Sequence, residues 1–272
     1  MKGLSRQLLL IFLSGFLILG ANAADLIMVT WNLKDFGKTK DATEIRFIAT
    51  IVRNADILAI QEVVAGEGGA QAVARLSDEL NRMGAKWDYV VSDPTTGTAH
   101  GRERYAFIWK TSKVTLVKST LATTTESLIN REPFLGTFKS GDKTFTISSF
   151  HAITRSADPQ NEIRFLPDIP VKHPGSPYIF CGDFNLPQSH EVFDLIRKKG
   201  YKQVLTGQKT SLQSKCSQVE CLASEYDNVF YDTKGVVSKE AKVEKFHLKF
   251  SDHSQALGIS DHLPVLFTFS LK

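Results

Sequence analysis

Apolar positions along the chain change their period several times, and each change predicts an element. In "DATEIRFIATIVRNA" (41–55), Ile45, Ile48, Ala49 and Val52 recur at helical spacing, and Asp41 with Glu44 three residues on reads as a capping-box start. A second helix is predicted over 70–84, stopped by Gly84, and a third over 190–200. Short β-rich apolar runs lie around them: "LIMVTWN" (26–32), "DILAIQEV" (56–63), "WDYVVS", "RYAFIWK", "KVTLVKS", "FLGTFKSG", "KTFTISSFHA", "YIFCGDFN", "DNVFYD" and "LPVLFTFSL". The runs 134–140 and 143–150, joined by Gly141-Asp142, are predicted to pair as a hairpin. Segments 119–130 and 207–224 read as loops, and no segment repeats at a fixed period. Many strands with few helices predict two mixed β-sheets packed face to face with helices outside.

The first residues do not belong to this pattern. "MKGLSRQLLLIFLSGFLILGANAA" has basic Lys2 and Arg6, an apolar stretch from Leu8 to Leu19, and small residues at Ala21 and Ala23. That is the anatomy of a secretory signal peptide over 1–23, with one domain expected over 24–272. The alternative is an uncleaved anchor, but the apolar run is short for a spanning helix and Ser14 and Gly15 interrupt it. Loss of Lys2 and Arg6 lowers the formal charge from +4 to +2, which identifies no partner by itself. In a secreted or periplasmic protein, Cys216 and Cys221 are expected to form a local disulfide. A zinc site is the weaker reading, because no second Cys/His pair is near. Cys181, inside "PYIFCGDF", is expected to be a buried free thiol.

Polar residues that are costly to bury cluster at the ends of the apolar runs. They include Asn32, Gln61 with Glu62, His151, Asp183 with Asn185, Asp227 with Asn228, and Asp261 with His262. Any one of them alone reads best as a solvated turn residue. Together they are what a cation and phosphate site at sheet edges needs. Oxygen donors from Glu62, Asp261 and Asn32 suit Mg²⁺, a hard cation. His151 and His262 are available for proton transfer, with Glu103 and Asp227 as candidate orienting carboxylates. The triplet Ser-Asp-His occurs twice, at 251–253 and 260–262. The second runs into an apolar strand that fixes its direction; the first is followed by polar "SQALG" and is expected to be a solvent-facing loop.

The ordered pieces "TWNL", "IQEV", "RERYAFIW", "NREPF", "SFHA", "CGDFN", "YDNVF" and "ISDHLPV" span nearly all of the mature chain. In that order they resemble the endonuclease/exonuclease/phosphatase superfamily, with "RERYAFIW" and "NREPF" leaning towards its deoxyribonuclease I branch. The resemblance implies a four-layered α/β sandwich and divalent-metal-dependent phosphodiester hydrolysis. It implies Glu62 as principal Mg²⁺ ligand with Asn32 and Asp261 nearby, Mn²⁺ as a substitute, and a structural Ca²⁺ as an open question. Asp183 would position or deprotonate the attacking water, and Asn185 would bind a phosphate oxygen. His262 with Asp227, and His151 with Glu103, would be the two imidazole pairs, and Arg131 would contact substrate phosphate.

The chain departs from that branch in two places. The branch carries an Arg shortly after the metal-binding Glu and a Tyr ahead of the "ERY" stretch, both reaching into the minor groove. Here those neighbourhoods read Val63-Val64-Ala65 and His100-Gly101. Nonspecific contact with DNA phosphates remains the expected mode, with Arg102, Arg104, Lys110 and Arg155 as candidate contacts or solvated surface charges. The sequence therefore reads as an exported, monomeric, sequence-nonspecific endodeoxyribonuclease without stable membrane association. A phosphoesterase acting on a phospholipid headgroup such as sphingomyelin, or on a phosphorylated small molecule, is the alternative. A non-catalytic binding protein would be expected to have lost at least one of Glu62, Asp183, Asn185, Asp261 or His262, and all are present.

Overall fold

The computed structural model describes residues 25–97, 101–122, 128–216 and 220–272; the predicted signal segment lies outside them. One sheet contains β1 (Leu26–Phe36), β2 (Ile57–Val64), β3 (Trp87–Val91), β4 (Glu103–Lys110), β11 (Val236–Val243) and β12 (Val265–Leu271). The other contains β5 (Thr115–Leu121), β6 (Phe134–Ser140), β7 (Lys143–His151), β8 (Tyr178–Asp183), β9 (Tyr201–Gln203) and β10 (Asp227–Asp232). Their orders are β11-β12-β1-β2-β4-β3 and β5-β6-β7-β8-β10-β9. Each sheet has one parallel pair at its centre, β1 with β2 and β7 with β8, and is otherwise antiparallel. The expected hairpin 134–140 and 143–150 forms as β6 and β7.

Strand alternation explains the layers. On β1, Val29, Trp31 and Leu33 face outward and pack on helices α1 (Ala42–Val52) and α2 (Gly69–Arg82), through Ile45, Ile48 and Leu76. The capping box of Asp41 and Glu44 is present at the start of α1. On the opposite face, Met28, Ile57, Ala59 and Phe107 meet Phe138, Phe145, Ile147 and Ile179 of the second sheet. The outer face of that sheet buries Phe150, Phe180 and Phe184 against short helices α3 (Gln160–Ile163), α4 (Ile169–Lys172) and α5 (Asp194–Lys198). Two mixed sheets flanked by helices form the expected four-layered α/β sandwich.

Four features differ from the reading of the sequence. The helix expected over 190–200 is a 3-10 turn, Glu191–Phe193, followed by the five-residue α5. The short turns between Arg155 and Lys172 carried no clear period. Strand β11 went unread because Lys239, Glu240 and Lys242 interrupt its apolar positions; charges of this kind protect an edge strand from pairing with another chain. Asp252 and His253, expected as solvent-facing loop residues, instead open helix α6 (His253–Ile259), with the Asp252 carboxylate accepting the Ser254 N–H as its N-cap. Asp252 is a cap and not a free loop residue.

Candidate active site

The polar residues converge because both parallel pairs end on the same side of the sandwich. Asn32 lies opposite Gln61 at the end of β1 and β2, and His151 lies opposite Asp183 at the end of β7 and β8. The antiparallel neighbours start there. Asp227 begins β10 opposite Asp183, Glu103 begins β4 opposite Val64, and His262 precedes β12. This is the crevice beyond the carboxyl ends of parallel strands, where α/β sheets place ligands.

Irregular backbone aims two of the side chains. Both ladders of β2 shift register around Glu62, which sits at φ +59, and Asn185 follows β8 at φ +53. Left-handed backbone at a non-glycine residue costs of order 1–3 kcal/mol and clusters at functional sites. The bulge sends Ile60 and Val63 to the outer core while Glu62 turns to the crevice. Gly182 holds φ +131 just before Asp183, and a Cβ there would meet the Phe150 carbonyl at 1.9 Å. Glycine is required at that strand contact.

Two imidazoles flank one carboxylate. His262 Nδ1 donates to Asp227 Oδ2 at 2.8 Å, and His151 Nδ1 donates to Glu103 Oε2 at 2.8 Å. The opposite nitrogens both face Asp183 Oδ2, His262 Nε2 at 3.6 Å and His151 Nε2 at 3.4 Å. Burial by itself lowers both histidines. Asp227 and Asp183 more than offset this for His262, which is held well above 6.5, and Glu103 with Asp183 raises His151. Burial pushes Asp227 up to about 6 despite the His262 charge beside it. Tyr226 stacks beside the His262 ring, and Thr210 Oγ1 accepts from the Asp227 N–H at 2.8 Å.

Asn32 joins the two sheets. Its Oδ1 accepts the Lys34 N–H, which turns its Nδ2 towards Glu62 Oε1 at 2.8 Å and Asp183 Oδ2 at 3.3 Å. In this arrangement Asn32 orients the carboxylates and presents no oxygen to them. Asn185 Nδ2 donates to the Ala152 carbonyl at 3.0 Å, and its N–H donates to Asp183 Oδ1 at 2.9 Å. Arg131 donates to the same Ala152 carbonyl and to the His151 carbonyl at 3.0 Å, and its guanidinium lies 3.5 Å from Glu103. Asp261 stands apart: its carboxylate meets Lys34 Nζ at 3.6 Å and is 39% exposed.

Donor chemistry decides where a cation fits. Asp183, Asp227 and His262 bring ligand atoms within 4.8 Å of one another, and Asp227 Oδ1 is buried without a partner. The His262 nitrogens, however, are already aimed at Asp227 and Asp183, so a proton satisfies this trio. Glu62 differs. Its side chain is 26% exposed, and its oxygens contact the amide of Asn32, the Asp35 N–H and, at 3.9 Å, His151 Nε2. A partly open carboxylate beside Asp183 fits a hard, oxygen-seeking cation.

The second Ser-Asp-His triplet is the one in the crevice. Ser260 Oγ donates to the Asn32 carbonyl at 2.6 Å and accepts the His262 N–H at 2.9 Å, while Trp31 Nε1 donates to the His262 carbonyl at 2.8 Å. In the first triplet His253 Nε2 contacts the Gln213 carbonyl, tying α6 to the disulfide loop. The Cys216–Cys221 disulfide is present and Cys181 is a buried free thiol, both as expected. Of the basic candidates, Lys110 ends β4 away from Glu103 and pairs with Asp56, and Arg104 donates to the Ala65 and Ser92 carbonyls. His100 lies outside the described residues. Thr210, Ser260 and Tyr105, whose hydroxyl accepts the His151 N–H at 3.2 Å, support the site and were missed. Ordinary hydroxyl residues carry no sequence signal of such a role.

The model of the Endonuclease/Exonuclease/phosphatase family matches residues 29–262. A deoxyribonuclease of Thioalkalivibrio sp. (strain K90mix) is 30% identical over 93% of this chain and 73% of its own length. Deoxyribonuclease-1 of Bos taurus is 28% identical over 99% of this chain and 100% of its own. Among solved structures, an endonuclease/exonuclease/phosphatase family protein from Bacteroides thetaiotaomicron superposes with a TM-score of 0.65 at 16% identity, covering 92% of this chain and 99% of its own.

Proposed function

Because the chain belongs to the endonuclease/exonuclease/phosphatase family, we propose that it is an exported, divalent-cation-dependent endodeoxyribonuclease that cuts DNA without sequence preference. The observation that carries this reading is the meeting of both imidazole Nε2 atoms on Asp183 Oδ2, each imidazole locked by its own carboxylate. The names of the deoxyribonuclease relatives support DNA as the substrate. The predicted signal and the disulfide support export, and no described helix is long and apolar enough to cross a membrane. The headgroup-phosphodiesterase alternative expects a contiguous exposed apolar hairpin. Among the described residues, the exposed large apolar side chains, Tyr89, Val117, Leu128, Val171, Leu195 and Leu248, fall on six different segments.

The residues divide the work. Asp183 lies where it can orient and deprotonate an attacking water. An imidazolium at His262 or His151 gives its proton to the leaving oxygen, and the other neutralises charge on the phosphate. Asn185 and Arg131, bound to one carbonyl, present their remaining donors to phosphate oxygens. Glu62 would hold Mg²⁺ or Mn²⁺, with Asp261 as second carboxylate once it releases Lys34. The cation supplies charge stabilisation on the phosphate.

Nicking of supercoiled plasmid tests the reading. Metal-dependent nicking that chelator abolishes, that is lost in His262→Ala and kept in His253→Ala, is the expected result. Absence of nicking with any divalent metal sinks it. A nitrophenyl phosphodiester then separates the histidines: a good leaving group needs no proton, so it restores turnover in the variant lacking the acid and not in the other.

A further inference from the structure

We propose that Glu162 is a positioning residue, an anionic clamp that fixes the phosphate-binding donors Arg131 and Asn185 from beneath. Glu162 lies on the short helix α3, outside every motif that drew attention in the sequence, and is 3% exposed. Among the described residues no Lys, Arg or His pairs with it within 4 Å. A buried carboxylate without a cation is costly unless its oxygens are satisfied otherwise. Here each oxygen accepts one backbone N–H: Asn130 at 2.6 Å and Ile153 at 2.9 Å.

Those two amides belong to the residues beside the site. Asn130 precedes Arg131, and Ile153 follows Ala152, whose carbonyl accepts from both Arg131 and Asn185. The loop that carries Arg131 and the segment leaving β7 thus hang on one carboxylate. Between them lies a cleft of about 190 Å³, walled by Asn130, Ile153 and Thr154 with Arg131 beside them. The clamp sets the width of this cleft and keeps the guanidinium across the end of β7. Charge-assisted bonds to backbone N–H groups are roughly twice as strong as neutral ones, enough to hold two loops in register.

This inference rests on the phosphodiesterase reading, and the experiment keeps the two separable. Plasmid nicking and kinetics on a short duplex are measured for wild type, Glu162→Gln, Arg131→Ala and the double variant. In Glu162→Gln one acceptor becomes an amide NH₂ facing an N–H donor. The expected result is a rise in KM of about 10-fold with a smaller fall in kcat, and little further loss when Glu162→Gln is added to Arg131→Ala. Equal loss in the presence and absence of Arg131, or wild-type kinetics in Glu162→Gln, overturns the clamp. No nicking by wild type fails the functional reading instead. A second readout needs no activity: amide protons of Asn130 and Ile153, bound to a carboxylate, are expected downfield in the ¹H–¹⁵N spectrum and shift upfield in Glu162→Gln. Unshifted amides in a folded variant overturn the proposal as well.

Discussion

The two parallel strand pairs that meet at the crevice are built to opposite specifications. The pair β1 and β2 ends in irregular backbone, with Lys34, Asp35 and Glu62 all at positive φ and a register shift on both sides of Glu62. Glu62 there, and Asp261 on the neighbouring segment before β12, remain partly exposed. The pair β7 and β8 runs in regular register to its end, where buried His151 contacts Asp183 and bonds the buried Glu103 at the start of β4 in the other sheet. The first half leaves oxygen lone pairs open to a cation and solvent. The second stores protons in a sealed network where charge interactions are less screened. Each half also hangs on one buried charge of opposite sign: Lys40 donates to the Gly258 and Ile259 carbonyls ahead of the Ser260 triplet, whereas Glu162 accepts the amides beside Arg131. On the proposed function, one crevice would hold its cation at the open end of the first pair and centre its proton transfers on the closed end of the second, with Glu103 and His262 supplied from the first sheet.

The most severe way to break this division is to remove the residue on which both sheets converge. Asp183→Asn is expected to lower kcat about 10³-fold or more, since acid–base groups of this kind contribute about 10²–10⁴, and extra Mg²⁺ does not restore it. Glu62→Gln loses activity to a similar degree but regains part of it at high Mg²⁺, because it weakens cation retention and leaves the proton network whole. Titrating Mg²⁺ in a nicking assay checks both. Equal rescue of the two variants would falsify the division of labour.

A milder break acts on the proton side alone. His262 is held well above 6.5 because Asp227 and Asp183 outweigh its burial, so its pair with Asp227 contributes to folding above the Asp227 value of about 6 and fades as pH rises through the raised His262 value. Asp227→Asn removes one of the two anions, so His262 releases its proton at lower pH. The alkaline limb of the kcat profile is expected to move towards neutrality, with a loss of about 10- to 100-fold measured at pH 8. Glu103→Gln does the same to His151 to a smaller extent, since Arg131 beside Glu103 already opposes that rise. An unshifted limb in both variants assigns it to a group outside these pairs.

How far this was legible in the sequence follows the same contrast. Asp183, His151 and His262 were readable only as a set: each alone reads as a turn residue, but so many costly polar residues at the ends of apolar runs point to one shared site. The α1 capping box and the β6–β7 hairpin were readable because turn and cap chemistry is local. What escaped is nonlocal or masked by charge. Glu162 sits in a segment of single-turn helices with no period, and its partners are backbone amides, which have no sequence signature. Strand β11 hides behind its exposed Lys239, Glu240 and Lys242, and α6 behind a Gly near its end. Asp261 could be placed at the site but not on Lys34, because only the bend of β1 brings that lysine across.

Stability offers a gentler probe of the irregular half. Lys40 is 5% exposed and its ammonium bonds two carbonyls at the end of α6, at 2.6 and 2.9 Å. Hydrogen bonds to charged groups contribute about 1.5–3 kcal/mol. Lys40→Met, of similar volume, is expected to lower stability by about 2 kcal/mol and Tm by about 4–8 °C for a chain of this size. The variant should keep nicking at 20 °C and lose it earlier on heating. An unchanged Tm would mean that water replaces the ammonium at those carbonyls and that α6 is held from elsewhere.

The smallest effect concerns the sealed half. Cys181 lies two residues before Asp183, is fully buried between the sheets, and burial pushes its thiol up to about 12. The thiolate, the form that reacts, is therefore scarce at pH 8. Iodoacetamide at pH 8 is expected to leave native protein unlabelled and fully active while alkylating Cys181 completely in denaturant, with the Cys216–Cys221 disulfide intact in both. Cys181→Ala should fold, at a cost of about 1 kcal/mol for the lost packing, and retain nicking, because the thiol touches none of the proton-carrying groups. Native labelling with loss of activity would show that solvent enters between the sheets beside Asp183. In that case screening by that water would weaken the hold of Asp183 and Asp227 on the His262 proton, and the difference between the open and the closed half of the crevice would disappear.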